Sequence, residues 1–161
     1  MINLKKATNI KDLAKLTSEI WHEYWVDLLS PEQIDYMVEK FQSEKAITHQ
    51  IAQENYTYFY IEKDNNIAGY VGLSKKEGYL FLSKLYIKKE FRHQGIGTQV
   101  FEFIKEFALK NNYKRIILTV NKHNSNTIKA YQKWNFKEID SVVTDIGNGF
   151  VMDDYIMEYS L

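Results

Sequence analysis

Residues 88–98 read Lys-Lys-Glu-Phe-Arg-His-Gln-Gly-Ile-Gly-Thr and form a polar, basic segment between two apolar ones. The run before this segment, residues 79–87, is rich in the side chains that favour strands. After it, apolar side chains recur at helical spacing over residues 98–110. Residues 115–120 then predict a buried strand. A strand, a helix and a strand of this size form a right-handed crossover, so the two strands are expected to run parallel.

Further elements are predicted on both sides of this crossover. The helix that starts at Pro31 has a capping box, with Ser30 as the N-cap and Gln33 three residues later. The links at residues 64–66 and 75–78 are so short that the strands they join must form antiparallel hairpins. The predicted helices are residues 10–26, 31–53, 98–110 and 125–134, and the predicted strands are residues 2–7, 56–62, 67–74, 79–87, 115–120, 136–145 and 150–159. This order predicts one domain over residues 1–161 with an α+β fold, in which helices cover both faces of a mixed, mostly antiparallel sheet of six to seven strands.

The composition excludes several classes of protein. Of the 161 residues, 45% are hydrophobic, which is enough for one core. The 21 basic and 21 acidic side chains cancel, so the field that draws nucleic acid or anionic lipid to a basic protein is missing. Without cysteine there is no disulfide, thiolate zinc site or cysteine nucleophile, and the four histidines lack metal-ligand spacing. No apolar run approaches the ~20 residues of a membrane helix, and the first residues lack a signal peptide's apolar core. We therefore expect a cytoplasmic protein with no metal, no nucleic-acid partner and no membrane anchor.

The basic loop has the composition of a phosphate site. Gly95 and Gly97 lack side chains where the backbone is expected to turn, so the amides of residues 94–98 can point into one concavity at a helix start. Three cations lie just before them: Lys88, Lys89 and Arg92. Position 100 is valine, so the third glycine of a dinucleotide-binding fingerprint is missing, and the Gly-Lys-Ser/Thr of a Walker A loop is also absent. A glycine turn that merely starts a helix remains the alternative.

A second segment, residues 124–136, reads Asn-Ser-Asn-Thr-Ile-Lys-Ala-Tyr-Gln-Lys-Trp-Asn-Phe. Together with Arg-His-Gln-Gly-Ile-Gly at residues 92–97, it resembles the two motifs of the GNAT superfamily of acyl-CoA-dependent N-acetyltransferases. The first motif, Arg/Gln-x-x-Gly-x-Gly/Ala, is matched in full. The second motif is matched by Asn124, Tyr131, Lys133 and Phe136. Asn135 replaces its usual glycine, and asparagine tolerates the left-handed conformation of a helix C-cap. The order of elements also agrees, so the resemblance covers essentially the whole chain.

The resemblance implies acetyl-CoA as the cosubstrate and gives it a path along the chain. Its pyrophosphate is expected on the amides of residues 94–98, and its pantetheine arm between two splayed parallel strands. The amide of Ile87 is the expected donor to the thioester oxygen and to the oxyanion that it becomes. Tyr131 is the expected general acid for the leaving sulfur, although on its helix alone it could equally be a core residue. The implied acetyl-CoA contacts are Leu85, Tyr86, Ile87, Arg92, His93, Gln94, Gly95, Ile96, Gly97, Thr98, Asn124 and Lys133.

The general base is less well defined, because the central strand at residues 79–87 carries no carboxylate. Candidates for the base are Glu23, which could instead contact the acceptor, and Asp153, with His22 and Asp154 as further choices. Consecutive strand residues face opposite sides, so at most one of the two aspartates is expected to face the site. Each candidate has an alternative role as an ordinary surface charge. The aromatic side chains beside Glu23, Trp21 and Trp25 among them, would suit an amine through cation–π contact or would simply belong to the core.

The function implied is transfer of an acetyl group from acetyl-CoA to a primary amine. A small-molecule acceptor and direct attack within a ternary complex are expected, since no cysteine is present to carry the acetyl group. Residues 147–155 resemble the tail of bacterial GNAT proteins grouped with diamine or polyamine acetyltransferases. Two alternatives remain, a non-catalytic acyl-CoA-binding regulatory module and an enzyme that acetylates proteins or peptides. A homodimer is also left open.

Overall fold

The computed structural model describes residues 1–161, and its secondary structure follows the predicted order closely. The strands are β1 (Ile2–Lys6), β2 (Tyr56–Lys63), β3 (Asn66–Lys75), β4 (Leu80–Ile87), β5 (Arg115–Asn121), β6 (Lys137–Gly147) and β7 (Phe150–Ser160). The helices are α1 (Ile10–Tyr24), α2 (Pro31–Gln42), α3 (Glu44–Gln53), α4 (Ile96–Lys110) and α5 (Ser125–Lys133), with a short 3₁₀ turn at Lys89–Phe91. No helix combines the length and the apolar character needed to cross a membrane.

All seven strands join one sheet in the order β1-β2-β3-β4-β5-β7-β6. Only β4 and β5 pair in parallel, as the crossover predicted, and all other neighbours are antiparallel. Helices α4 and α5 cover one face over a core that includes Val100 and Ile104. Helices α1 to α3 cover the other face, where Leu13, Ile20 and Ile47 are buried. The predicted α+β class and the mixed sheet between two helical layers are confirmed.

The parallel pair is short, and its two strands then separate. Only Leu80 and Phe81 are paired with β5, although β4 continues to Ile87. A register shift opposite Gly72 and Leu73 of β3 leaves Ser83 as an extra residue in β4. Such a bulge bends a strand and increases its twist, which here directs the second half of β4 away from β5. The expected splayed pair is therefore present, and the gap opens towards the start of α4.

The helix predicted over residues 31–53 is two helices, because the chain becomes extended at Ser43. This residue has φ −74° and ψ 163°, and its hydroxyl accepts the N–H of Ala46 at 3.1 Å as the N-cap of α3. The preceding Gln42 is fully buried and accepts a hydrogen bond from the Tyr70 hydroxyl at 2.7 Å. The Tyr58 hydroxyl in turn donates to Gln50 of α3 at 2.6 Å. The break lets both glutamines reach the tyrosines of the sheet, which fixes α2 and α3 over β2 and β3.

Candidate active site

The loop between β4 and α4 presents backbone amides to an open space. Gly95 is the N-cap of α4 and has a φ of +76°, which a residue with a side chain rarely adopts. No atom lies within 4 Å of the place where its Cβ would be, so the space beside it is free for a ligand. Helix α4 begins at Ile96, two residues earlier than predicted, and the first amides of a helix have no partner within it. These donors and the positive end of the helix fit a phosphate.

Gly97 is needed for a different reason from the one predicted. It lies inside the first turn of α4 and is not among the glycines with positive φ. A Cβ at this position would lie 3.3 Å from the indole ring of Trp134, the residue that follows α5. Gly97 therefore allows Trp134 to pack close against the start of α4, whereas Gly95 makes the turn.

Arg92, three residues before Gly95, has one side-chain donor without a hydrogen-bond partner. Its Nε donates to the carbonyl of Ile87 at 3.0 Å, and its guanidinium lies 5.4 Å from the centre of the Tyr24 ring. Its Nη2 is buried but has no hydrogen-bond partner, and the Glu23 carboxylate is 3.7 Å away. A buried guanidinium nitrogen without an acceptor is costly, and a phosphate oxygen would satisfy it. The donors in the loop thus fit the anionic part of acetyl-CoA.

Glu23, a predicted base or acceptor contact, lies beside the basic loop. Its carboxylate accepts the N–H of Lys89 at 2.8 Å and faces Arg92. It is absent from the walls of the large cavity described below. Its position is that of a residue that holds the basic loop against α1, and the geometry does not favour the predicted role.

Three predicted contacts lie at the solvent-exposed rim: His93, Gln94 and Lys133. His93 adopts a positive φ of 63° in the turn before Gly95. The Gln94 side chain accepts a hydrogen bond from Lys63 of β2 and donates to the carbonyl of Glu90 at 3.2 Å. Lys133 has no ion-pair partner at the end of α5. Thr98 is also exposed, in the first turn of α4, while Ile96 beside it is buried in the core.

The separated half of β4 offers backbone groups to the gap. Lys88 donates its N–H to Ala68 of β3 at 2.7 Å. Because the backbone groups of a strand point alternately to its two sides, the amides of Leu85 and Ile87 point away from β3 into the gap. The amide of Tyr86 points to β3, so of the three predicted pantetheine contacts only Leu85 and Ile87 present their backbone to the gap. The Tyr86 side chain lies on the α1 face instead.

A cavity of about 480 Å³ opens from this gap under α1, α2 and α3. Aromatic rings form one wall, with Tyr24 and Tyr86 in edge contact at 5.1 Å between ring centres and Trp25 beside them. Trp21 and Trp25 are buried in the core, which was one of the two predicted alternatives, and both also line the cavity. Its polar lining includes Ser83, Lys84, Asn121, Asn124, Thr127 and Asp154 on the side of the sheet and α5, and Gln33, Lys40, His49, Gln50 and Glu54 on the side of α2 and α3.

Tyr131 lies where the gap meets the cavity. Its ring packs against Trp134 and Phe136 with ring centres 5.6 and 5.5 Å away. Its hydroxyl makes no hydrogen bond within the protein, and the residue lines the cavity. Burial, with a smaller contribution from Tyr24, raises the pKa of this hydroxyl above its usual value of 10.0. The group therefore holds its proton at neutral pH, as a general acid must.

Asn124 is held by the cavity wall. Its Nδ2 donates to the Tyr24 hydroxyl, which also shares a hydrogen bond with Thr127 at 2.8 Å. The side-chain oxygen of Asn124, Oδ1, has no protein partner, so this atom remains available as an acceptor. The interaction joins α1 to the start of α5 across the mouth of the gap.

Asp154, and not Asp153, faces the cavity. Asp154 is 5% exposed and lines the cavity, whereas Asp153 pairs with Lys122 at 2.9 Å on the opposite face. Burial, together with the charge of Asp153, raises the pKa of Asp154 from 3.8 to about 6. His22 lies outside the cavity and pairs with Asp35 of α2 at 2.6 Å. Of the predicted base candidates, Asp154 alone reaches the space where an acceptor would lie.

Lys84 is a cavity residue that the sequence analysis did not single out. It lies in the middle of β4 on the same face as Tyr86, two residues away, and lines the cavity. A lysine inside a strand whose other residues, apart from Ser83, are apolar or aromatic is the signal that could have identified it. Burial lowers the pKa of this ammonium from 10.5 to about 8.

Comparison with known proteins gives consistent matches over the chain. The model of the acetyltransferase (GNAT) family matches residues 13–136. An uncharacterized N-acetyltransferase of Lactobacillus delbrueckii subsp. lactis is 28% identical over 110 residues, 63% of this chain and 64% of that protein. The chain thus spans slightly less than two thirds of this curated relative. The spermidine N(1)-acetyltransferase of Thermoplasma acidophilum is 26% identical over 149 residues, 90% of each chain.

The fold has well-matched neighbours among solved structures. The PaiA N-acetyltransferase of Thermoplasma acidophilum, solved in complex with coenzyme A, superposes with a TM-score of 0.82. It is 22% identical, and the match covers 100% of this chain and 99% of that one. At this level of identity the likeness shows that the fold is shared.

Proposed function

Since the chain belongs to the GNAT family of acetyltransferases, we propose that it moves an acetyl group from acetyl-CoA to a primary amine of a small molecule. The observation that carries this proposal is the continuity of two spaces. The gap beside Leu85 opens into the cavity under α1 to α3, whose walls include residues 81–86 of β4 and 119–121 of β5, and the phosphate-fitting loop follows directly after β4. Acetyl-CoA bound along the gap would place its thioester where the gap opens into the cavity, beside Tyr131.

The backbone of β4 supports activation of the thioester. The amides of Leu85 and Ile87 point into the gap, so either one can donate to the carbonyl oxygen of the bound thioester. As the amine attacks, negative charge builds on this oxygen, and a fixed donor in a dry site stabilises it. The sequence favoured Ile87. Its carbonyl already accepts a hydrogen bond from Arg92, which holds this part of the backbone in place.

Two cavity side chains support the proton transfers. A primary amine arrives as an ammonium ion and must lose a proton before its nitrogen can attack. Asp154, with its raised pKa and buried position, can bind the ammonium and accept that proton. When the C–S bond breaks, the sulfur leaves as a thiolate, and the Tyr131 hydroxyl can donate a proton to it. The new C–N bond remains in the acetylated amine.

The size of the cavity favours a small acceptor. Helices α1 to α3 cover it, and its volume of about 480 Å³ lies in the range of small-molecule sites. A protein lysine would have to enter through the same opening on a long side chain. We therefore place acetylation of peptides second among enzymatic functions.

The central experiment follows release of free thiol from acetyl-CoA in the presence of a panel of amines. We expect saturable, acceptor-dependent release and an acetylated amine by mass spectrometry. Activity with peptides but with no free amine would select the protein-acetylating alternative. Tight binding of CoA without turnover on any amine, peptide or aminoglycoside would support the non-catalytic module.

The phosphate site is tested with a matched pair of glycine variants. Gly95→Val and Gly78→Val both place a β-branched residue at a positive φ, and neither new Cβ would meet an atom within 4 Å. Gly78 lies in the turn between β3 and β4, away from the loop. We expect each variant to lose about 1–2 kcal/mol of stability from backbone strain. Calorimetry should show at least a tenfold weaker affinity for CoA in Gly95→Val alone. Equal affinities in the two variants would contradict the proposed path.

A further inference from the structure

Lys84 is a partly buried cation of the cavity wall that forms no ion pair. The charge of Glu54, which also lines the cavity, acts on it from a greater distance. No carboxylate lies within ion-pairing distance of its Nζ, which donates to the Ser83 hydroxyl at 2.6 Å. That hydroxyl also shares a hydrogen bond of 2.8 Å with Tyr56, whose ring lies 5.9 Å from the same Nζ. An ammonium has three N–H donors, so two remain without a protein acceptor. Burying such a group costs free energy unless a partner completes it.

The sheet is shaped to hold this lysine. Gly72 of β3 is the direct partner of Lys84, and a Cβ there would lie 3.1 Å from Lys84 Cγ and 2.9 Å from the Tyr58 ring. The missing side chain at Gly72 therefore makes the space through which the lysine stem runs. Removal of water by burial also accounts for its lowered pKa, and about half of the molecules would still carry the charge near pH 8. The fold therefore provides a specific place for this lysine in the cavity wall.

Trp25, another residue of the cavity wall, has a second donor without a protein partner. The indole Nε1 of Trp25 is buried and has no hydrogen-bond partner, and Trp25 is only 7% exposed. Trp25 stands 6.4 Å from Tyr86 between ring centres, on the face of β4 that also carries Lys84. An indole N–H only donates, so an acceptor on a bound ligand would be able to satisfy it if the ligand reached this atom. Two independent donors thus point to an acceptor-rich group in the occupant of this cavity.

The opposite charge lies on the other side of the cavity. Asp154 projects from β7, and β5 lies between β7 and β4. Two strand spacings amount to about 10 Å, and the splay of β4 increases this separation. Neither Lys84 nor Asp154 is among the groups that shift the other's pKa. The cavity wall therefore carries the Asp154 carboxylate on β7 and the Lys84 cation on β4, and Glu54 at the end of α3 is a further carboxylate of its lining.

We propose that the acceptor is an ω-amino carboxylate, whose amine is bound by Asp154 and whose carboxylate is bound by Lys84 and Trp25. This inference rests on the proposed function and specifies its substrate class. The separation of the charges favours an amine several bonds from the carboxylate over an α-amino group. A single ammonium matches a monoanion, whereas a phosphate would require more donors. A diamine would bring its second ammonium against Lys84, and the like charges would repel.

The test compares three acceptors of equal chain length: ω-aminopentanoate, cadaverine and pentylamine. We expect kcat/KM for ω-aminopentanoate to exceed that for cadaverine at least tenfold. In Lys84→Met the KM for ω-aminopentanoate should rise about 10- to 100-fold, as loss of a charge-assisted hydrogen bond predicts, while kcat stays within about threefold. Pentylamine, which lacks the carboxylate, should react equally with both proteins. Lys110→Met is the control, because Lys110 is an exposed cation in the last turn of α4.

Three outcomes would overturn the inference. One is a preference for cadaverine in the wild-type protein. Another is an equal loss of kcat for all three acceptors in Lys84→Met, which would assign the lysine to proton transfer. The third is a stable acetyl group found on Lys84 by mass spectrometry after exposure to acetyl-CoA.

Binding of pentanoate keeps the test independent of turnover. This probe has a carboxylate but no amine, and its affinity for the CoA complex can be measured by ligand-observed NMR. We expect binding to the wild-type protein, weaker binding to Trp25→Phe and at least a tenfold loss in Lys84→Met. Equal binding to wild type and Lys84→Met would overturn the inference. If pentanoate binds through Lys84 while no amine is acetylated, the proposed function fails and the carboxylate site stands.

Discussion

Tyr131→Phe is expected to lower kcat by at least about 100-fold, equivalent to about 2.7 kcal/mol in the barrier. The hydroxyl has no protein hydrogen bond, so its removal leaves no partner unsatisfied and the ring still packs on Trp134 and Phe136. The affinity for CoA, measured by calorimetry, should change less than twofold. Steady-state thiol release with a saturating acceptor measures the loss of kcat.

Tyr159→Phe is the matched control for this result. Tyr159 belongs to the same aromatic cluster, with its ring centre 5.6 Å from Phe136, and its hydroxyl also lacks a protein partner. It lies outside the cavity, so its variant should keep kcat within about twofold. A kcat for Tyr131→Phe within threefold of the wild-type value would show that the leaving thiolate needs no proton from this residue.

The fold could be predicted because its main signals are local. The crossover follows from a strand, a basic glycine loop and a helix in succession, and the hairpins follow from links of a few residues. The break at Ser43 was missed because no glycine or proline marks it. The reason for the break is a set of hydrogen bonds between Gln42, Gln50 and tyrosines that lie on β2 and β3. Such contacts depend on how the helices and strands pack together, and the spacing of apolar residues within one helix gives no information about that packing.

Part of the candidate site could also be predicted, because some of its residues belong to local sequence motifs. The loop and Tyr131 are parts of local motifs, and both lie beside the gap. The choice between Asp153 and Asp154 depends on the register of β7 against β5, where Asp154 faces Asn121. Strand alternation showed that only one of the two could face the cavity, but not which one. The role of Lys84 depends on a glycine in a neighbouring strand, a relation that appears only once β3 and β4 are paired.

Asp154→Asn is expected to lower kcat/KM at pH 7.5 by about 100-fold and to change the shape of the pH profile. In the wild-type protein Asp154 must be ionised to accept the proton, so kcat/KM should rise through its pKa of about 6 and then level off. Without this base only the free amine reacts, and the rate of the variant should rise about tenfold per pH unit across the same range. Asp153→Asn, on the opposite face of β7, should keep the wild-type profile. A plateau above pH 6 in Asp154→Asn would assign the base to another group.

The same substitution is expected to stabilise the fold at neutral pH. The pKa of Asp154 is higher in the folded protein than in the unfolded chain, so folding binds a proton and the ionised carboxylate opposes it. This cost is absent below pH 3.8, where both states are protonated, and it is complete above pH 6. A pKa shift of this size corresponds to at most about 3 kcal/mol in the free energy of unfolding, and water reaching the cavity reduces this cost.

Asn removes the charge, so urea unfolding should find Asp154→Asn more stable than wild type at pH 7.5, with the difference vanishing as the pH falls towards 3.8. A variant that is less stable at pH 7.5 would show that the carboxylate is satisfied in the folded protein, and it would then be a poor base. Lower activity combined with higher stability is what a buried carboxylate retained for proton transfer should give.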